Sequence, residues 1–205
     1  MELNKTLFQV IKTEAEKTKT IVNNVLIMLG NRIYLDKKGE KHILLDPSET
    51  SKSVDDRGDG TFVFKANNGD TYALKIFFQK ITAIGKQSTI SDFFNDYAKY
   101  RKIIVAKDFN NKIADHVARQ HTQIFKENVL LEDIISNRYQ PKFELLTPSE
   151  MEKVKSEYNA TDYSIEKMMR SDPVTKYFAL KKGDIIRIIR PSPTSGEAVA
   201  YRIIS

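Results

Sequence analysis

The sequence predicts an α/β (α+β) protein with a larger N-terminal domain and a small C-terminal domain that ends in a β-hairpin. Residues 61–66 and 71–80 are predicted strands, and Asn67-Asn68-Gly69-Asp70 between them is typical of a tight hairpin turn. A strand, a helix and a strand follow between residues 102 and 125, which favours a parallel crossover. Near the C-terminus, Ile185–Arg190 is a β-branched run typical of a strand.

Four patterns lie ahead of that first hairpin. Apolar residues at helical spacing predict an amphipathic helix over residues 2–17. A helix over 21–29 is expected to end at Gly30. A second hairpin is predicted from strands 33–35 and 43–45, and turn-forming residues predict a polar loop over 46–60.

In the middle of the chain, the sequence predicts further helices and strands. A capping box, Thr147-Pro148-Ser149-Glu150, predicts the start of a helix that runs to about Tyr158, where Asn159 ends it. The other predicted elements are helix 91–101, strand 102–106, helix 110–120, strand 122–125, a linker over 136–141, strand 143–146 and a short helix over 164–170.

The last segment, residues 172–205, organises the C-terminal domain. Asp172 is a predicted N-cap with Pro173 at the first helical position, and Gly183 supplies the turn after the helix. A loop over residues 191–196 separates strand 185–190 from a second strand, 199–204, expected to be its antiparallel partner.

Neither face of this predicted hairpin is purely polar. The chain's helices can cover one face, and the other needs either more of this chain or a partner. Pairing near Arg190 and Val199 would bring Arg190 and Arg202 close to the loop end of the sheet. We expect one of these arginines to pair with a carboxylate or with backbone carbonyls, in this domain or on a partner.

The C-terminal segment resembles the assembly domain of the fifth subunit of eukaryotic nuclear RNA polymerases, a domain that archaea carry alone as a short polymerase component. The resemblance spans helix, strand and loop, extends more weakly back to about Gln140, and is faint before that. The matching positions are Asp172, Pro173, Val174, Tyr177, Leu180, Lys181, Gly183, Ile188, Ile189, Arg190, Ser192, Thr194, Ser195, Gly196, Tyr201 and Arg202.

This resemblance implies a domain plan and partners. Residues 1–136 would form a jaw domain that reaches weakly toward the phosphates of downstream DNA, and residues 141–205 an assembly domain that docks on the largest subunit of the polymerase core. The residues implied in partner binding are Asp172, Pro173, Tyr177, Gly183, Arg190, Ser192, Thr194, Ser195, Gly196, Tyr201 and Arg202.

The family has a signature at the domain junction in which two histidines flank a Val-Pro pair. Pro141, Lys142, Leu146 and Glu150 match it, but Asn137 and Phe143 stand where the histidines are expected. This departure marks the chain as divergent and puts any contact of those imidazoles in doubt. Together with a Lys/Ile/Asn-rich composition, it favours a large DNA virus of asfarvirus type as the source, with a divergent protist as the alternative.

Composition excludes several classes of protein. There are no cysteines, which rules out disulfides and thiolate metal sites, and no apolar run approaches a membrane span. The net charge of +6, from 33 basic and 27 acidic residues, allows contact with a phosphate backbone without requiring it. A viral copy would work in the host cytoplasm and virion, and a cellular copy in the nucleus.

No pattern in the sequence indicates catalysis, a cofactor or a metal. The loop starting at Asp55 lacks two calcium ligands, and His116 and His121 are spaced to point to different sides of a helix. Asp36-Lys37-Lys38 is a lone D-x-K without the converging carboxylates that a nuclease needs. The rival hypotheses are therefore a stand-alone nuclease-like enzyme, which would need such a cluster, and a free nucleic-acid-binding protein, which would need a denser basic face.

Overall fold

A computed structural model describes residues 12–36, 38–85, 88–137 and 139–205. Helices and strands both contribute to it, so the predicted α/β (α+β) class is confirmed. Among the described residues, no helix is both long and apolar enough to cross a bilayer. The described helices are α1 (Glu14–Gly30), α2 (Pro47–Thr50), α3 (Thr89–Asp96), α4 (Asn111–Arg119), α5 (Glu127–Leu131), α6 (Pro148–Glu157) and α7 (Pro173–Tyr177).

The strands of the described residues form three sheets. A two-stranded sheet has the order β1-β2, a five-stranded sheet the order β3-β4-β5-β6-β7, and a four-stranded sheet the order β8-β10-β11-β9. In chain order the strands are β1 (Ile33–Leu35), β2 (Lys41–Ile43), β3 (Asp55–Asp56), β4 (Thr61–Lys65), β5 (Thr71–Ile81), β6 (Arg101–Phe109), β7 (Thr122–Lys126), β8 (Lys142–Leu145), β9 (Glu166–Met168), β10 (Ile185–Ser192) and β11 (Gly196–Ile204).

The described residues divide into two compact units. The first unit comprises the described residues of Met1–Leu26 with Pro47–Glu132, and the second comprises Ile27–Asp46 with Asp133–Ser205. The second unit therefore includes a segment from the front of the chain. The division into domains 1–136 and 141–205, made from the sequence, stays a prediction.

The first unit is built around the five-stranded sheet. Its first three strands are antiparallel neighbours, whereas β5, β6 and β7 run parallel. The parallel strands are linked by α3 and α4, which confirms the predicted crossover. Both helices pack apolar side chains on the same sheet face, and the core there is Val63, Ala73, Ile81, Ile90, Phe93, Ile104, Ala106, Ile113 and Val117.

Several predictions for the front half change in detail. The helix predicted over 2–17 falls mostly outside the described residues, and α1 runs without a break from Glu14, so residues 18–20 are helical as well. The predicted loop over 46–60 contains α2 and the short strand β3. Helix α3 begins at Thr89, because Ser88 caps it, and it ends at Asp96 instead of continuing to residue 101.

The second unit is built around the four-stranded sheet, and its central hairpin confirms the predicted antiparallel pair. Ile189 faces Val199 and Arg190 faces Ala198, so the register is one residue from the predicted pairing. Both faces are covered by the same chain near the base of the hairpin. One core contains Met168, Val174, Leu180, Ile186, Ile188 and Ile204, and the other contains Leu146, Val154, Ile165, Ile185 and Ile203.

The helix predicted over 164–170 is wrong. Residues Glu166–Met168 form β9, which pairs in parallel with Arg202–Ile204 at the edge of the sheet. Local propensity favours a helix here, but strand pairing satisfies backbone groups that the edge of β11 would otherwise expose. Pairing also places Met168 in the core, at 6% exposure.

The loop predicted over residues 191–196 is shorter than expected. Strand β10 continues through Pro191 and Ser192, which face Glu197 and Gly196. Pairing of β10 with β8 ends at Ile189 and Lys142, so Pro191 lies where β10 has become an edge strand. A proline is tolerated there because its missing N–H can face the open side.

Candidate functional site

The helix that leads into the hairpin is shaped by the residues that carry the family resemblance. Asp172 accepts a hydrogen bond from the backbone N–H of Val174 at 2.8 Å, and Pro173 occupies the first turn of α7. This arrangement confirms the predicted cap and satisfies a backbone donor that a helix start leaves free. Asp172 and Pro173 therefore have a structural role within the chain.

Tyr177 lies at the end of the same helix and is 4% exposed. Its hydroxyl accepts a hydrogen bond from Nδ2 of Asn31 at 2.9 Å, and burial raises the pKa of the phenol. Arg32, 5% exposed, donates from Nε to the Tyr177 carbonyl at 2.7 Å and from Nη2 to the Lys176 carbonyl at 3.3 Å. The guanidinium thus caps the C-terminal carbonyls of α7, where cations are favoured.

Gly183 makes the turn between α7 and the hairpin. Its φ is +92°, in the left-handed region that favours glycine, and its N–H donates to the carbonyl of Ile204 at 2.9 Å. Asp184 then accepts a hydrogen bond from the N–H of Lys181 at 2.7 Å. Gly183 therefore positions the start of β10 against the end of β11.

The tip of the hairpin, residues 190–199, extends beyond the two cores. All of its residues are exposed except the half-buried Ser192, and Val199 is 51% exposed. Short hydrogen bonds order the turn: the N–H of Ser195 donates to Oγ of Ser192 at 3.4 Å, and the hydroxyl of Ser195 donates to the carbonyl of Glu197 at 3.0 Å. Gly196 has a φ of +75°. The tip is thus ordered and accessible.

Tyr201 lies on a charged part of the sheet. Arg187 faces Glu144 across β10 and β8 and donates from Nε to its carboxylate at 2.8 Å. Tyr201 faces Arg187 across β10 and β11, and its ring centroid lies 5.7 Å from that of Tyr158. Hydrogen bonds from Lys142 and from Arg187 lower the pKa of Glu144.

Arg202 has an incomplete set of partners. Its Nη2 lies 3.3 Å from the carboxylate of Glu166, whose side chain is 71% exposed. This pair agrees with the expected carboxylate partner within the domain. Nε of Arg202 is buried and, among the described residues, lacks a hydrogen-bond acceptor. Arg190 is exposed at the tip.

Comparisons with known proteins agree with the family resemblance that this hairpin and the turn before it carry. The family model for the RNA polymerase Rpb5, C-terminal domain, matches residues 132–204. Over 204 residues, and 100% of both chains, the protein is 54% identical to DNA-directed RNA polymerase subunit 5 of Acanthamoeba polyphaga mimivirus. The chain belongs to the fifth-subunit family of DNA-directed RNA polymerases.

Cellular members of the fifth-subunit family are more distant. The chain is 27% identical to subunit RPABC1 of DNA-directed RNA polymerases I, II and III of Caenorhabditis briggsae, over 90% of this chain and 93% of that one. It is 38% identical over 64 residues to DNA-directed RNA polymerase subunit Rpo5 of Methanocaldococcus jannaschii, which covers 31% of this chain and 82% of that one. The family resemblance is confirmed, while the asfarvirus-like source stays a prediction beside the mimivirus relative.

The two residues that stand in place of the family's signature histidines have local roles. Asn137 accepts a hydrogen bond from the N–H of Tyr139 at 3.0 Å in a turn. Phe143 packs against the hydrophobic core, with its ring centroid 6.1 Å from that of Phe178. The apolar side chain at 143 is therefore accommodated by partial burial against this core. A buried imidazole there would need hydrogen-bond partners.

One cluster outside the hairpin has the composition of a metal site. Asp36, Glu40 and His42 bring their ligand atoms within 4.8 Å of one another on the β1–β2 hairpin. Oδ1 of Asp36 already accepts from the N–H groups of Lys38 and Glu40, both at 2.8 Å. These bonds lower the pKa of Asp36 and are typical of a turn. The absence of a metal site stays a prediction.

Sequence reasoning missed two residues of this second unit. Arg32 was not recognised because nothing in its neighbourhood indicates a partner 145 positions away. Glu144 was not recognised either, although a carboxylate on one strand and an arginine on another is a pattern that pairing can bring together. Arg32 supports the helix that leads into the hairpin, and Glu144 supports the hairpin from the neighbouring strand β8.

Proposed function

We propose that the protein is a non-catalytic subunit of a multisubunit DNA-directed RNA polymerase, and that it docks on the largest subunit through its second unit. Membership of the fifth-subunit family supports this function, since the relatives are named as RNA polymerase subunits. The nuclease-like alternative has no specific observation in its favour.

The docking assignment rests on a contrast between two groups of the residues that match the family. Asp172, Pro173, Tyr177 and Gly183 are used within the chain, as a cap, a first helical residue, a buried phenol and a left-handed turn. The matching residues at the hairpin tip instead lie beyond the cores. Arg190, Thr194, Ser195 and Gly196 are exposed, and Ser192 is half-buried. We therefore assign the tip to the partner.

The ordered tip suits a docking role. Pro191 and Pro193 fix two φ angles, and the hydrogen bonds around Ser195 hold the turn without help from a partner. A surface that is already ordered loses little conformational entropy on binding. Val199, on the other face of the tip, adds an exposed apolar side chain for the interface.

The first unit is proposed to act as the jaw, near downstream DNA. The net charge of +6 is compatible with contacts to phosphates, which would be independent of sequence. The isolated protein should bind duplex DNA weakly, with a Kd on the order of 10⁻⁴ M at physiological salt. In a viral setting, the site of action would be the host cytoplasm and the virion. In a cellular one, it would be the nucleus.

The docking proposal is tested with the full chain, because residues 27–46 belong to the same unit as the hairpin. Arg190→Glu and Val199→Glu are each assayed for binding to the purified largest subunit. Lys65→Glu is the matched control, an exposed strand residue of the first unit. We expect both tip variants to weaken binding at least about tenfold, which is about 1.4 kcal/mol, while the control binds normally.

Melting temperatures separate docking from folding. All three side chains are exposed, so each variant should unfold within a few degrees of the wild type. Unchanged binding by both tip variants contradicts the docking assignment. Metal-dependent cleavage of DNA or RNA by the purified chain would favour the nuclease-like enzyme instead.

A further inference from the structure

Two lysines are buried on adjacent strands of the five-stranded sheet, and they differ in their partners. Lys75 on β5 is 4% exposed, and its ammonium lies 2.7 Å from a carboxylate oxygen of Asp59 and 2.8 Å from the Asp59 carbonyl. Lys102 on β6 is 7% exposed. Side chains alternate between the two faces of a strand, so Lys102 on β6 lies on the same sheet face as Ile104 and Ala106, which are core residues.

The ammonium of Lys102 has weak partners. It donates to the carbonyls of Tyr97 and Tyr100, both at 3.4 Å, which is longer than most N–H···O bonds. Among the described residues, Lys102 has no carboxylate as an ion-pair partner, in contrast to Lys75. Burial lowers its pKa, as expected for a cation withdrawn from water without a counter-charge. A third N–H donor of the ammonium remains for another acceptor.

Lys102 lines an open cleft of about 440 Å³ in the first unit, at the amino ends of the parallel strands. Lys99, Arg101 and His121 also line the cleft. Its lining includes one carboxylate, Asp70, which is paired with Nε of Arg101 at 3.2 Å. Positive charge therefore exceeds negative charge around the cleft, and the size is within the range of small-molecule sites.

We propose that this cleft binds a small phosphate-bearing anion whose oxygens accept hydrogen bonds from the Lys102 ammonium. A phosphate group supplies the missing counter-charge and has several acceptor oxygens for converging cations. A small anion fits better than duplex DNA, because a side chain that is only 7% exposed is out of reach of a phosphate held on a rigid double helix. Tyr100 and Phe94 add aromatic side chains to the lining, which suits an organic phosphate ester.

The first test measures thermal unfolding of the full chain in inorganic phosphate against sodium chloride at equal ionic strength. Ligand that binds only the folded state raises the melting temperature with concentration. Because phosphate also stabilises proteins without a site, the rise in the wild type is compared with that in each variant. We expect a smaller phosphate-dependent rise for Lys102→Met than for the wild type, and a wild-type rise for Lys107→Met, whose lysine is exposed further along β6. An equal rise in the wild type and Lys102→Met overturns the proposal.

A second measurement needs no substitution at the buried position. In the wild-type protein, carbon and proton resonances of the Lys102 ε-methylene should shift with phosphate and saturate, while those of Lys107 should not. The variant Arg101→Gln, at the exposed rim, should weaken the phosphate affinity several-fold. Absence of a saturable shift at Lys102 overturns the proposal even if Lys102→Met does not fold.

Duplex DNA is the alternative ligand to be distinguished. Anisotropy of a labelled duplex should report the same weak affinity for wild type and Lys102→Met. If Lys102→Met weakens duplex binding as much as it weakens phosphate binding, Lys102 belongs to a DNA-contacting surface and the small-anion assignment is overturned. None of these measurements involves the largest subunit, so their outcome is independent of the docking proposal.

Discussion

Arg32 donates a hydrogen bond from Nε to the carbonyl oxygen of Tyr177 at 2.7 Å, although 145 residues separate the two along the chain. This contact joins the segment after α1 to the helix that precedes the C-terminal hairpin, within one compact unit. The helix that leads into the hairpin is therefore capped by a residue far outside the segment that the family model matches, residues 132–204.

Replacing Arg32 with methionine is expected to lower the free energy of unfolding by about 1.5–3 kcal/mol, because its charge-assisted hydrogen bonds to two helix-end carbonyls are lost. Urea unfolding followed by circular dichroism measures this loss. The control is Arg57→Met, at an arginine whose side chain is 54% exposed, with an expected change of about 0.5 kcal/mol or less. Equal effects of the two substitutions would contradict the structural role of Arg32.

Replacing Gly183 with alanine is expected to cost about 1–2 kcal/mol, because the residue has a φ of +92° that an L side chain rarely adopts. A Cβ there meets no atom within 4 Å, so the cost is one of backbone conformation and not of a clash. Gly85→Ala is the matched control, since its Cβ also has open space and its φ is not in the left-handed region. The two thermal unfolding curves are compared, and a Gly183→Ala protein as stable as the control speaks against the argument.

Glu150 links the capping box of α6 to Lys41, at 2.7 Å from Nζ. Partial burial raises the pKa of its carboxyl, but hydrogen bonds from Lys41 and Thr147 outweigh this and lower the pKa from 4.5 to about 2. Since the pKa in the folded state is depressed, the stability from this group is present above about pH 4.5 and is lost as the pH falls toward 2.

The substitution Glu150→Gln keeps an acceptor for the capping box but removes the charge. We expect it to flatten the loss of stability between about pH 4.5 and 2, with a modest loss at pH 7. Urea unfolding across this pH range measures the slope. Glu157→Gln, at an exposed position near the other end of α6, serves as the control and should keep the wild-type slope. A wild-type slope in Glu150→Gln contradicts the prediction.

Substitution of Arg202 tests whether this family-matching arginine stabilises the fold or binds a partner. Its pair with the exposed Glu166 should contribute about 0–1 kcal/mol, and its buried Nε is unsatisfied, so Arg202→Met should change stability by less than about 1 kcal/mol. Glu166→Gln, which removes the same ion pair and leaves the guanidinium, is the control. Loss of binding to the largest subunit in Arg202→Met alone supports an interface role. A stability loss above about 2 kcal/mol assigns the arginine to the fold.

Local signals in the sequence determined several elements in both units. The capping box at Thr147, the Asp172-Pro173 helix start and the Asn-Gly turn after β4 each act through bonds between neighbours in the chain, so their outcome is readable from a few residues. The family motif, which also lies within one contiguous segment, identified the hairpin in the same way.

Tertiary structure decided what depends on distant partners. Residues 164–170 favour a helix locally, yet the open edge of β11 draws Glu166–Met168 into a parallel strand. Arg32 and Lys102 are cations that composition would place at the surface, and folding buries both, one against helix-end carbonyls and one beside a cleft. The physical reason is the same in each case: burial and strand pairing depend on groups that the chain brings together only when it folds, so no local pattern encodes them.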